Sequence, residues 1–370
     1  MTIVCLSLAL PAALMSFGVC AWLVGPGRRL AHLDVPGRET HKGHHRPVPT
    51  TGGIAIFLAI LVPIVTALAA VWLVPAQSWG GWLAPLVQHL PGIRTQSSMA
   101  AAVLVALAIF HVVGLADDRR PLRTATKLGI ELVVAAVLAG AFELRIFQIL
   151  QHERFGIAGV VLCVVLSALW LVGITNALNM LDNMDGLAGG VAAIVATLYL
   201  VATLIGQQWF VAALCALVLG ASIGFLVFNF PPARLFMGDG GSLVLGLLLA
   251  VISVRTTYFG TDTAGVPGAW FGVLMPLVVM AVPLYDLMSV TMIRLRAGRS
   301  PFAADQNHLS HRLVRQGLSR RGAVLTIWLA TLATGLGGVL LSRLSGWQAA
   351  VVAVHTVAVL ALLAALEMQR

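Results

Sequence analysis

Residues able to do chemistry are few in this chain, and they gather in short runs. The densest covers 176–190, NALNMLDNMDGLAGG, with apolar stretches on both sides. A carboxylate at the centre of a bilayer costs about 2.5–3.5 kcal/mol, so such groups persist where water, a metal or a charged ligand meets them. Asn176, Asn179 and Asn183 stand three and four apart and share one face of a continuous helix, with Asp185 on the opposite side. The helix is therefore expected to end near Asn183, with Asp185 or Gly186 opening the next. That break collects Asn176, Asn179, Asp182, Asn183 and Asp185 around one opening.

Further runs carry groups of the same kind. Asp117 and Asp118 are adjacent, and two neighbouring carboxylates repel and call for a cation. A hard ion such as Mg²⁺ suits those oxygens together with substrate phosphates; a solvated pair answering Arg119 and Arg120 is the plainer alternative. In NFPPARLFMGDGGS, over 229–242, the prolines stop one helix and Ser242 is placed to cap the next. A glycine-rich turn into a helix N-terminus suits phosphate oxygens, and Asp239 beside it would need a metal. Phe236 is either packing or a plate for a base. His308 and His311 lie three apart with Arg312 adjacent, in NHLSHRL. No Cys or acidic residue completes a zinc set there, which leaves phosphate contact or a solvated basic loop. HKGHHRP, over 41–47 and including His44, is basic and open to both readings, and the TTGG after it suits close helix packing. Asp286 is read as structural, with Arg294 two turns on as its expected partner.

The elements that must position these runs are membrane helices. The 370 residues are 59% hydrophobic and only 10% charged, where a soluble chain carries about 25%; mean hydropathy is +0.96. Eleven apolar runs are long enough to span a bilayer: 3–24, 52–74, 99–116, 127–142, 157–175, 186–205, 208–228, 241–259, 268–293, 323–342 and 348–366. The run 127–142 is short and holds Glu131. The expected fold is an all-α polytopic bundle forming one domain over 1–370, its first span retained rather than cleaved. With the N-terminus outside and the C-terminus in the cytoplasm, all Lys and Arg except Arg94, Arg145, Arg154, Arg255 and Arg343 fall on the inner side. Trp72, Trp79, Trp82, Trp209, Trp270 and Trp347 then mark the outer boundary. That orientation rests on basic residues alone, and it puts every chemistry-bearing run on the cytoplasmic side. The net charge of +9 is assigned to basic loops facing anionic lipid, not to nucleic acid. Cys5, Cys20, Cys163 and Cys215 lie within apolar runs and read as packing.

Together and in this order the runs are specific. The DD pair, NxxNxxDxxDGLAGG, FMGDGGS and HxxHR make the chain resemble the polyprenyl-phosphate N-acetylhexosamine-1-phosphate transferase family along nearly its whole length, in the undecaprenyl- and decaprenyl-phosphate GlcNAc-1-phosphate branch of glycosyltransferase family 4. The resemblance implies catalytic roles for Asp117, Asp118 and Lys127 near the lipid phosphate, and for His308, His311 and Arg312 at the diphosphate. It implies Mg²⁺, or alternatively Mn²⁺, on Asn179 and Asp239 with Asp118. Asp185 and Phe236 would hold the uracil, and Asn176, Asp182 and His44 join the substrate-binding set. Glu131 stands where the family pattern has Gln. The peptidoglycan lipid I branch carries three consecutive histidines in the last loop; HLSHR matches the branch that uses UDP-GlcNAc or a related sugar for O-antigen, teichoic acid and other surface glycans.

The expected activity is transfer of a HexNAc-1-phosphate, GlcNAc first, from a UDP-sugar to polyprenyl phosphate with release of UMP, in the inner (plasma) membrane with the site facing the cytoplasm. The expected partners are the UDP-sugar, the lipid and the membrane, and a homodimer is compatible with this. UDP-MurNAc-pentapeptide or another UDP-amino sugar is the alternative donor. An ion-coupled transporter is the non-enzyme alternative; it asks for polar residues near the midplane and for repeated halves, whereas here the polar residues cluster at one face.

Overall fold

The computed structural model describes residues 1–29, 33–34, 48–146, 155–256, 269–302 and 305–368. The chain is an all-α polytopic membrane protein. Among the described residues ten helical segments are long and apolar enough to cross a membrane, and a bent pair makes eleven when counted as one span, the number of apolar runs in the sequence. Helices α1 (Thr2–Ser7) and α2 (Ala9–Val24) make the first span. Then follow α3 (Gly52–Leu73), α4 (Leu90–Arg119), α5 (Thr124–Ala141), α6 (Gly156–Leu181), α7 (Leu187–Ile205), α8 (Trp209–Asn229) and α9 (Asp239–Thr256). The bent span is α10 (Met275–Val279) with α11 (Ala281–Arg296); α12 (Leu309–Arg315) is short, and α13 (Arg320–Val339) and α14 (Gly346–Met368) follow. Leu33–Asp34 and Val48–Pro49 form a two-residue antiparallel ladder.

Helix α9 is the axis. It is apolar on every side, as a fully enclosed helix is, and every residue from Gly240 to Val254 is buried. Its neighbours are α3, α4, α6, α7 and α8. Small residues let the backbones close: a Cβ on Gly246 would stand 2.7 Å from the Thr175 Cα of α6. Helices α2 and α8 approach in the same way, and there the Ser16 hydroxyl donates to the Ala221 carbonyl at 2.8 Å.

The bent span turns by 64° between Val279 and Ala281. Pro283 is the cause: it has no N–H to give the Val279 carbonyl, and its ring crowds that oxygen. The bend aims the end of α11 at the loop that carries α12. Alternating helix directions bring the C-terminal ends of α4, α6, α8 and α11 together with the N-terminal ends of α3, α5, α7, α9 and α13. These ends line one cavity.

Candidate active site

The break in the 176–190 run falls close to where the spacing puts it. α6 ends at Leu181 and α7 begins at Leu187. The Asn183 side chain donates to the Met180 carbonyl at 2.7 Å, closing one of the last open carbonyls of α6. Gly186 caps α7 with φ +77°, a conformation that only glycine adopts at no steric cost. Its N–H donates to Asn229 Oδ1 at 2.8 Å, and Asn229 Nδ2 donates to the Leu235 carbonyl at 2.9 Å. Asp185 Oδ2 accepts the Ala233 N–H at 2.9 Å. The break is thus fastened to the turn between α8 and α9.

That turn is fastened on its other side to TTGG. Phe236 N–H donates to the Pro49 carbonyl at 2.8 Å, and Gly52 and Gly53 N–H donate to the Phe236 and Met237 carbonyls at 2.9 Å each. His111 Nδ1 lies 2.7 Å from the Gly240 carbonyl, and Phe57 stacks on the His111 ring. The start of α9 corrects two expectations. Ser242 does not cap the helix, and the helix N-terminus is not left open to a phosphate. Asp118 reaches across from α4 and accepts the Asp239 N–H at 2.9 Å and the Gly240 N–H at 3.2 Å. A carboxylate there meets both the first unpaired donors and the positive end of the helix dipole. Ser242 instead accepts from Asn179 at 2.9 Å and donates to the Gly238 carbonyl at 3.2 Å. Asp118 thus serves α9 as its cap.

Asp117 faces the other way. Its Oδ1 accepts the Leu122 N–H at 2.6 Å and its Oδ2 accepts Lys127 Nζ at 3.0 Å. Lys127 also pairs with Asp239, so one ammonium bridges carboxylates from α4 and α9. The repulsion expected of the DD pair is relieved by Lys127 on one member and by the α9 N-terminus on the other. Asn179 donates to Asp239 Oδ1 at 2.9 Å, which leaves its carbonyl oxygen available. Asn176 donates to Glu131 Oε2 at 2.5 Å and to the Val172 carbonyl at 2.9 Å. Glu131 is buried, and its second oxygen has no partner among the described residues.

The opposite wall comes from α11, α12 and α13. Asp286 does not pair with Arg294, as the helical spacing suggests; it accepts His308 Nδ1 at 2.9 Å and the Leu309 N–H at 2.6 Å. Arg294 instead forms a two-pronged pair with Asp305, at 3.0 and 3.1 Å. Burial works to raise the Asp305 carboxyl, but hydrogen bonds from Arg294 and Asn307 outweigh it and hold the group at about 2. His311 is pushed below the ordinary histidine value by burial first, and then by the charges of His308, Arg315 and Arg320.

A cavity of about 570 Å³ joins the two walls. Of the residues singled out in the sequence, Asp117, Asp118, Lys127, Asn176, Asn179, Asp182, Asp185, Phe236, Asp239, His308 and His311 line it. Arg312 does not: its guanidinium is buried against Glu367, away from the residues that line the cavity. His44 lies outside the described residues. Thr50, Arg294, Asp305 and Arg320 also line the cavity and were not assigned to the site in the sequence. Arg320 had only its place in a basic stretch to mark it, and Asp305 had none of the motif spacings. Among the described residues no three His, Cys, Asp or Glu side chains stand in a metal-holding cluster. Mg²⁺ needs fewer, since one or two carboxylates plus substrate phosphates suffice. Asp239, Asp117 and the free carbonyl oxygen of Asn179 are hard oxygen donors that fit it.

Residues 100–257 match the glycosyl transferase family 4 profile. That range contains every cavity residue from Asp117 to Asp239. The chain is 30% identical to a Bacillus subtilis protein named a probable undecaprenyl-phosphate N-acetylglucosaminyl 1-phosphate transferase, over 86% of this chain and 80% of that one. It is 34% identical to the decaprenyl-phosphate N-acetylglucosaminephosphotransferase of Mycobacterium tuberculosis, over 86% and 78%. It is 32% identical to the phospho-N-acetylmuramoyl-pentapeptide-transferase of Geobacillus kaustophilus, over 62% and 68%. With its motifs meeting in one cavity and its likeness running through most of its length, the chain belongs to the polyprenyl-phosphate N-acetylhexosamine-1-phosphate transferases of glycosyl transferase family 4.

Proposed function

We propose that the protein transfers GlcNAc-1-phosphate from UDP-GlcNAc to polyprenyl phosphate and releases UMP, at the cytoplasmic face of the plasma membrane and with Mg²⁺. The observation that carries the reading is the pairing of two unlike walls in one cavity. One holds Asp117, Lys127, Asp239 and Asn179; the other holds His308, His311 and Arg320. The names of the relatives point to N-acetylglucosamine phosphate as the group moved, and the basic residues around the cavity support a site open to the cytoplasm.

In the reaction an oxygen of the lipid phosphate forms a bond to the β-phosphorus of the donor, and the bond from that phosphorus to the bridging oxygen breaks, so UMP leaves. One anhydride replaces another, and catalysis is chiefly positioning and charge neutralisation. Mg²⁺, held by Asp239 and Asn179, would supply part of that neutralisation. Lys127, fixed between Asp117 and Asp239, supplies a protein cation at the same place. Asp117 is poorly disposed to be a base, because the hydrogen bonds from Leu122 and Lys127 already favour its ionised form. A phosphate monoester has its second pKa at about 6, so the acceptor is mostly dianionic at neutral pH and has little proton to lose. Asp117 orients the acceptor through Lys127. The basic wall then meets the diphosphate, with His308 held by Asp286 so that Nε2 is left free for the ligand.

The test is purified protein with polyprenyl phosphate and a panel of UDP-sugars, with and without a chelator. Lipid-linked product is expected from UDP-GlcNAc and its loss on chelation. Turnover of UDP-MurNAc-pentapeptide in preference to UDP-GlcNAc would overturn the choice of donor.

A further inference from the structure

Arg312 and Glu367 form a buried ion pair that the reaction as described does not use. Arg312 Nε and Nη2 reach Glu367 Oε2 at 2.9 and 2.8 Å. Nη2 also donates to Ser289 Oγ at 2.7 Å, and Nη1 to the Asn307 carbonyl at 2.5 Å. Glu367 accepts the Tyr285 hydroxyl at 2.8 Å, and its backbone carbonyl accepts Gln316 Nε2 at 2.9 Å. The two charged side chains are 8% and 10% exposed. Yet α14, which carries Glu367, is the least enclosed of the spans. A buried pair is weak grounds for stability, because desolvation offsets most of the attraction. Its geometry points to a different job.

Helix α12 has seven residues, too few to hold a helical shape alone. Asp286 secures its first turn through His308 and Leu309. Arg312, beside His311, secures its middle, and Gln316 its end. The anchor for both of these is Glu367. We propose that Glu367 is a positioning residue for the transferase: through Arg312 it fixes the rotation of α12 and so the imidazole of His311 in the cavity. This rests on the reading that the cavity takes the UDP-sugar. Asp117 and Lys127, on α4 and α5, are held without α12, so the loss of Glu367 acts on the donor side of the site and spares the lipid side.

The experiment uses the full chain in detergent with Glu367→Gln, Glu367→Ala, Arg312→Ala and the double alanine variant. Glu367→Gln and Glu367→Ala should raise the UDP-GlcNAc KM by about tenfold, the scale of losing an outer positioning contact, with the polyprenyl-phosphate KM unchanged. Because Glu367 acts through Arg312, the double variant should be no worse than Arg312→Ala alone. Defects that multiply, or a rise in the lipid KM instead, overturn the proposal. Amide hydrogen exchange over 309–318, measured without substrate, should be faster in Glu367→Gln than in wild type; unchanged exchange also overturns it. If wild type fails to use UDP-GlcNAc, the choice of donor is at fault, and the exchange result still decides whether Glu367 holds α12.

Discussion

Gly114 of α4 makes the sharpest test of how the site is built. It lies one turn before Asp117 and Asp118, against the first residues of α9. A Cβ added there would stand 2.4 Å from the carbonyl carbon and oxygen of Asp239 and from the Gly240 nitrogen. Ordinary contact begins at 3.4 Å, so Gly114→Ala must push α4 and α9 apart by about 1 Å. The obstacle is backbone on both sides, and no flexible side chain can give way. The displacement moves Asp239 relative to Asp117 and Lys127. A misplacement of that size costs on the order of a hundredfold in rate, or about 2.7 kcal/mol of transition-state stabilisation. Overpacking should also cost about 1–3 kcal/mol of stability, so kcat is read on protein whose melting curve confirms folding. Gly173→Ala on α6 is the control, since nothing lies within 4 Å of its added Cβ; it should keep full activity. A folded Gly114→Ala with kcat within about threefold of wild type would refute the argument that the α4–α9 contact sets the position of Asp239.

Asp118→Asn should lower kcat, yet leave the Mg²⁺ concentration for half-maximal activity unchanged, because Asp118 caps α9; a shifted Mg²⁺ titration would restore it as a ligand. Asp117→Asn should lose activity by a similar factor at every pH from about 6 to 9, since the acceptor is already dianionic over most of that range; convergence with wild type at high pH would make Asp117 a base. His311 has its folded pKa lowered by burial and by its cationic neighbours, so the unfolded chain takes up its proton first as pH falls. Stability should therefore drop from about pH 7 through 6.5 and below, and His311→Gln should drop less; parallel melting-temperature curves would contradict this.

Much of the architecture was legible because it is local. Each span is an apolar run, and the helix break near Asn183 follows from three asparagines sharing a face while Asp185 cannot. The glycines of TTGG marked close helix packing, and the structure sets them against the backbone of FMGDGGS. What could not be read was which partner each charge takes. Asp118 caps a helix 121 positions away, Arg312 pairs across 55 and His308 across 22. Such pairings depend on how helices are rotated about their axes, and a spacing rule reports only one helix at a time. The Asp286–Arg294 expectation erred for that reason: two turns of one helix align the residues, but Asp305 from the following loop reaches Arg294 better. The motif marked Arg312 but not its partner, because Glu367, one acidic residue in an apolar helix, carried no signal of its own.

The most direct measurement follows the phosphorus. Purified protein would receive polyprenyl phosphate, Mg²⁺ and UDP-GlcNAc radiolabelled only in its β-phosphate. The account predicts that the label moves into the lipid fraction together with the sugar, with one unlabelled UMP formed per lipid product. Lipid that carries the sugar without the label, with labelled UDP released, would mean transfer of the sugar alone and would contradict the account.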